Sequence, residues 1–302
     1  MSRQLPLLLP LHRFALDDGP GIRTTVFFKG CPLSCVWCHN PETISTECEI
    51  ACYPQRCISC GECLGVCPTG AITLEPLVRI SRTTCTACGR CAETCPALAL
   101  ERRGEYLPAG ELVALLLRDR LFYESSGGGV TFSGGEATVH MDYLEQVLRD
   151  LKQRGIHTAL QTCGLFDFEH FSTRLLPRID LIFYDIKLLD PDQHQRFTGR
   201  DNRPILDNFV RLTGMAREKL MPRVPLIPGI TATRHNLTGI ASFLRGLGYG
   251  QAELLSHNPG CREKRLAIGR EIPEEPTPDM MTIEDESRCR ELFFSALAGE
   301  PA

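Results

Sequence analysis

Six short apolar runs punctuate this chain: TTVFFKG at 24–30, GVTFSGG at 129–135, HTALQT at 157–162, DLIFYDIK at 180–187, PRVPLIPG at 222–229 and AELLS at 252–256. Between them, apolar residues recur every three or four positions in the stretches 111–122, 141–155, 168–176, 205–216 and 237–248. The runs have strand length and the stretches have helical period. Repeated strand–helix alternation with short connections predicts a parallel sheet, either doubly wound or curved into a barrel or part-barrel. In a barrel of this kind the chemistry sits at the carboxyl ends of the strands. Residues 1–47 and 101–270 read as two parts of that unit. Residues 48–100, rich in Cys, Gly and Pro, break the alternation and read as an insertion. Residues 271–302 open as a Pro/Glu-rich linker, and SRCRELFFSALAG at 287–299 fits a closing helix.

A hydrophobic share of 43% over 302 residues provides for a substantial core. The net charge of -4 argues against a nucleic-acid partner, which calls for a basic field. The start MSRQLPLLLPLHRF is broken by Pro6 and Pro10, is shorter than a membrane span and lacks a small-residue cleavage site. It reads as a first strand or its approach, in a cytoplasmic protein with no membrane association. Of 16 cysteines, ten fall between Cys48 and Cys95. Without an export signal they read as reduced thiols that bind metal rather than as a disulfide framework.

Directly after the first strand, GCPLSCVWCHNPE carries Cys31, Cys35 and Cys38 in a CxxxCxxC spacing. Three thiolates on one tight loop suit three irons of a 4Fe-4S cubane, leaving the fourth open to a substrate. Structural zinc is the alternative, but it takes four ligands, and His39 is awkwardly adjacent to Cys38. This loop, with Trp37 before its last cysteine, resembles the signature of the radical S-adenosylmethionine superfamily. The longer run DDGPGIRTTVFFKGCPLSCVWCHNPE, from Asp17 to Glu42, resembles that of glycyl-radical-enzyme activating enzymes, the relatives of pyruvate formate-lyase activase.

The resemblance implies a partial (β/α) barrel of TIM type, with S-adenosylmethionine chelated by the open iron and cleaved to a 5′-deoxyadenosyl radical. It implies cofactor contacts at Trp37, Cys38, His39, Ser133, Gly134, Gly135, Glu136, Asp185, Ile186, Lys187, Arg223 and Asn258. Glycine lets backbone approach a ligand closely, and Asp185 and Lys187, two apart on a strand, leave one face. Two positions depart from the family pattern: Gln161 stands where relatives often carry an acidic residue, and Asn258 where they often carry a histidine. His257 is expected to face away from Asn258 on the strand and to be structural.

Within the insertion, CISCGECLGVCP and CTACGRCAETCP each read C-x2-C-x2-C-x3-C-P, the ligand run of two-cluster ferredoxins, in which the fourth cysteine crosses to the other cluster. Cys57, Cys60, Cys63 and Cys95 are assigned to one cubane, and Cys85, Cys88, Cys91 and Cys67 to the other. That makes three 4Fe-4S clusters in all. Cys48, Cys52, Cys163, Cys261 and Cys289 are expected to pack without ligating. Activases with such an insertion form a subset, and this sequence looks closest to its YjjW-like members. The implied partners are a glycyl radical enzyme as substrate and a low-potential flavodoxin or ferredoxin as electron donor. The rival readings are a radical enzyme acting on a small molecule and a plain iron-sulfur electron carrier.

Overall fold

The computed structural model describes residues 5–272 and 280–300. Each of the six apolar runs forms a strand: β1 (Arg23–Phe28), β2 (Gly129–Gly134), β3 (His157–Thr162), β4 (Leu181–Asp185), β5 (Leu220–Leu226) and β6 (Glu253–Ser256). Every strand pairs in parallel with the next one along the chain. A doubly wound sheet would reverse its order at a switch point. This order never reverses, so the sheet winds in the single direction of a barrel. The barrel is left open, with β6 on one edge. On the other edge, beyond β1, lie antiparallel strands, among them Leu7–Leu8, Glu105–Tyr106 and His12–Ala15.

Alternation along each strand divides the residues between two environments. Val26, Phe28, Val130, Phe132, Leu160 and Ile182 point outward and pack beneath the helices. Full burial of such a side chain stabilises the fold by about 1.5–3 kcal/mol. The inward positions carry polar residues among the apolar ones. Arg23, fully buried, donates Nε to Thr131 Oγ1 at 2.7 Å and its guanidinium to the carbonyls of Val130 at 2.8 Å and Pro20 at 3.1 Å. Burial pulls its pKa down to about 10 against the opposing pull of Asp18. At the level of Gly129, the start of β2, Arg23 thus fills the floor of the barrel.

The helices differ from their periodicity where tertiary contacts intervene. The stretch 111–122 is not one helix but two, Ala109–Leu116 and Arg120–Ser126, separated by a 3-10 turn at Leu117–Asp119. Asp119 is drawn into the barrel wall, accepting hydrogen bonds from Arg13 and, at 2.8 Å, from Thr24 Oγ1. The stretch 168–176 is α-helical only over Phe168–His170 and continues as a π turn, Phe171–Leu175. Two short helices too polar to show a hydrophobic stripe are present as well: Pro191–Thr198, capped by Asp190, and Cys261–Ala267. The closing helix spans Ile283–Ala298, its first turn capped by Thr282. Most of the expected linker before it, 273–279, lies outside the described residues.

The insertion is closed off by its own ends, since Glu49–Cys52 pairs antiparallel with Leu100–Arg103. Its small core is Ile50, Ile72, Val78 and Leu100 with the buried thiols of Cys52, Cys63 and Cys91.

Candidate active site

The cysteine loop leaves β1 through Gly30 and is held from two sides. Toward β2, the Gly30 carbonyl accepts from Glu136 N at 2.8 Å, while its N–H closes the loop on itself by donating to Thr43 O at 2.7 Å. Toward the helix Pro191–Thr198, Ser34 and Val36 donate to the carbonyls of Thr198 at 2.8 Å and Phe197 at 3.0 Å. Trp37 is buried with Leu33, Cys35, Leu188, Phe197 and Ile227. The result brings Cys31, Cys35 and Cys38 to one wall of a cleft of about 310 Å³, within the usual size of small-ligand sites. Burial pushes the Cys35 thiol up to about 12 and Cys38 to about 11. Both therefore favour the protonated form at neutral pH, and a metal held there would have to displace the protons.

Facing the thiols are the carboxyl ends of β2 to β6, where a barrel places its chemistry. Ser133, Gly134, Gly135, Asp185, Lys187, Arg223 and Asn258 line the cleft together with Trp37 and His39. The two glycines owe their identity to the loop. A Cβ on Gly134 would stand 2.3 Å from Phe28 N, and one on Gly135 would stand 2.4 Å from Gly30 O. Their small size lets the cysteine loop lie directly against β2, in addition to leaving the cleft wall bare. Buried Lys187 donates to Asp185 Oδ2 at 2.6 Å. Burial lowers its pKa, but its neighbours, foremost the charge of Asp185, which also accepts its hydrogen bond, more than offset this, so the ammonium persists well above its ordinary range. Arg223 donates Nε to Glu253 at 2.6 Å and lies over the Phe183 ring at 3.4 Å, so its guanidinium is fixed.

Glu136 and Ile186 do not line the cleft. The Glu136 carboxylate is wholly buried and accepts from Thr138 Oγ1 at 2.8 Å, Thr162 Oγ1 at 3.0 Å and Cys163 N at 2.7 Å, which ties the end of β2 to the end of β3. His257, expected to face away, lines the cleft beside Asn258. Strand geometry ends at Ser256, and alternation does not extend past it. Gln161 also lines the cleft, accepting from Ser133 Oγ at 2.6 Å and donating to Asp18 Oδ1 at 2.9 Å.

In the insertion, the four cysteines Cys57, Cys60, Cys63 and Cys95 surround one small cavity with Leu74, Val78 and Leu100. Cys67, Cys85, Cys88 and Cys91 surround another with Ile50, Ile72 and Ile80. Each run thus lends its fourth cysteine to the other's cavity. Cys60 and Cys88 are exposed, whereas Cys63 and Cys91 are buried.

Residues 56–99 match a family described as a 4Fe-4S dicluster domain. Over 260 residues, 84% of this chain and 85% of the relative, the sequence is 43% identical to the trans-4-hydroxy-L-proline dehydratase activating enzyme of Clostridioides difficile. It is 40% identical over 247 residues, 80% of this chain and 74% of the relative, to the benzylsuccinate synthase activating enzyme of Thauera aromatica. The chain belongs to the glycyl-radical-enzyme activating enzymes. Its fold is also that of a radical SAM methyltransferase from Sphaerobacter thermophilus, at a TM-score of 0.54 and 16% identity over 98% of this chain and 76% of that one.

In this activating enzyme several residues outside the expected contacts lie at or beside the site. The Cys163 thiol, on the loop after β3, donates to Cys31 and lowers its pKa while its own is raised. Cys163 is also packed with Leu33, Cys35 and Trp37 behind the loop. Asp18, within DDGPGIR, accepts from Thr25 Oγ1 at 2.6 Å and joins the polar interior. Lys264 donates to Asn40 Oδ1 at 2.8 Å and to His39 O at 3.1 Å. Only Asp18 lies in a run that stood out along the sequence.

Proposed function

We propose that this activating enzyme cleaves S-adenosylmethionine reductively at a 4Fe-4S cluster ligated by Cys31, Cys35 and Cys38, and installs a glycyl radical on a partner enzyme. The observation that carries the reading is one cleft of about 310 Å³ that joins three thiols, a Gly-Gly turn and the Lys187–Asp185 pair. When bound, the reduced cluster and the sulfonium cofactor supply a 5′-deoxyadenosyl radical and methionine.

The chain's own groups bind and orient. Lys187 keeps donors beyond the one given to Asp185 and suits a carboxylate, while Asp185 keeps an acceptor for an ammonium. Arg223, fixed by Glu253 and Phe183, adds a second positive group that moves little. Trp37, Ile227 and Leu255 give the cleft apolar walls that keep water from a reactive radical. Selectivity then rests on positioning. A glycine suits as target because it has no Cβ to obstruct its Cα hydrogen.

Residues 48–100 serve in this reading as a relay module that holds two further 4Fe-4S clusters, on Cys57, Cys60, Cys63 and Cys95 and on Cys67, Cys85, Cys88 and Cys91. Three clusters amount to about twelve irons. The exposed Cys60 and Cys88 suit a flavodoxin or ferredoxin docking from outside. Sixteen free thiols suit a reducing compartment such as the cytoplasm, and among the described residues no helix is long and apolar enough to cross a membrane.

The test is to incubate the reconstituted protein with dithionite, S-adenosylmethionine and a glycyl radical enzyme without oxygen. The expected result is 5′-deoxyadenosine together with a glycyl doublet in the electron paramagnetic resonance spectrum, lost when the partner's target glycine is changed to alanine. Cofactor cleavage with no radical on any such partner would favour a small-molecule substrate.

A further inference from the structure

The helix Cys261–Ala267 packs against Pro41–Thr43 of the cysteine loop on one side and against Glu49–Cys52 of the insertion on the other. Its Arg265 is 7% exposed and donates Nη2 to the carbonyls of Cys35 at 2.8 Å and Val36 at 3.2 Å. Its Nε is enclosed and has no acceptor. Among the described residues no carboxylate pairs with it: Glu42, the acid beside the loop, meets Lys264 at 3.7 Å and itself keeps one buried oxygen without a partner.

A guanidinium keeps its proton at neutral pH, and burying a charge without a counter-charge is strongly unfavourable. Buried charges are accordingly paired. What lies beside Arg265 is the ligand loop, whose thiolates outweigh the charge of a 4Fe-4S core. We propose that Arg265 is the counter-charge of the cluster at Cys31, Cys35 and Cys38, a positioning residue that clamps the ligand loop and favours the cluster's one-electron reduction. The inference rests on the reading that these three cysteines hold the open cluster.

Reduction adds one negative charge to the cluster. A fixed positive charge in a dry site stabilises the reduced form more than the oxidised one, so its removal drives the potential more negative. Lys264 touches the same loop, but its side chain is 36% exposed and solvent screens it. Replacing it has the smaller effect.

The experiment is an anaerobic redox titration of the reconstituted full-length protein, following the part of the reduced electron paramagnetic resonance signal that changes on adding S-adenosylmethionine. An unaltered protein with about eight irons and no such component removes the open-cluster reading itself, before any variant is compared. Given that component, Arg265→Met is expected to lower its reduced-to-oxidised ratio about tenfold at a fixed solution potential, a shift of about 59 mV for one electron. Arg265→Lys, which keeps the charge, recovers most of the loss, and Lys264→Met shifts the ratio less. Arg265→Met titrating with the unaltered protein, or Arg265→Lys falling equally far, overturns the proposal. If Arg265→Met does not load the site cluster, Arg265→Lys decides: loading at the unaltered potential supports the counter-charge role, and failure to load overturns it.

Discussion

Gly135 sits where two backbones meet. Its N–H reaches Phe28 O at 2.8 Å, and a Cβ added to it would stand 2.4 Å from Gly30 O and 2.6 Å from Thr43 O. Neither obstacle is a flexible side chain, so Gly135→Ala must push the cysteine loop off β2. Overpacking of this kind costs about 1–3 kcal/mol. The expected outcome is a lower melting temperature and, if the three proposed clusters load, loss of about four of about twelve irons with about eight retained. Iron analysis with a thermal melt checks it, and a fully loaded, equally stable variant would refute the packing account. Glu136 illustrates the same economy of position. Next to the Gly-Gly turn it looked like a cofactor contact, yet its carboxylate gathers donors from Thr138, Thr162 and Cys163. The wall of the cleft is thus held by a residue whose side chain never faces it.

The helix Arg120–Ser126 is fastened to the barrel by Tyr123, whose hydroxyl donates to Thr24 Oγ1 at 2.7 Å, beside Asp119 on the preceding turn. Burial raises the Tyr123 pKa from 10.0 to about 12. Because the neutral phenol is favoured in the fold, this stabilisation is complete below pH 10 and is lost as pH rises toward 12. The melting temperature of the metal-free chain should fall across that window, and fall less steeply in Tyr123→Phe, which has no proton to lose there. Parallel slopes would show that Tyr123 does not govern the alkaline transition. The broken helix around Asp119 also shows where periodicity stops informing. Leu112, Val113 and Leu116 mark a buried face as expected, but the 3-10 turn is set by Arg13 and Thr24, far away in sequence.

At the scale of the whole molecule, the barrel and the insertion are joined through the helix Cys261–Ala267. Arg82 of the insertion donates to Ala267 O at 2.7 Å and also to Ile50 O, and Gln55 donates to Glu263 at 2.9 Å. A relay from the insertion to the cleft predicts a dependence on the reductant. Cys60→Ala and Cys88→Ala should retain S-adenosylmethionine cleavage with dithionite but lose most of it with a flavodoxin or ferredoxin donor. Full activity of both variants with the protein donor would assign the insertion to docking instead. The measurement is 5′-deoxyadenosine formed under each reductant.

The sequence by itself determined whatever is carried by local spacing. The CxxxCxxC loop, the two ferredoxin runs and the strand periodicity of β1 to β6 are each written within about a dozen residues, because ligand reach and backbone repeat are short-range. Tertiary structure alone decided what depends on meetings across the chain. Arg265 reaches Cys35 across 230 positions, Cys163 comes to Cys31 from the end of β3, and His257 turns into the cleft because β6 stops at Ser256. No periodicity encodes these, since a side chain's role there is fixed by which distant backbone the barrel brings beside it.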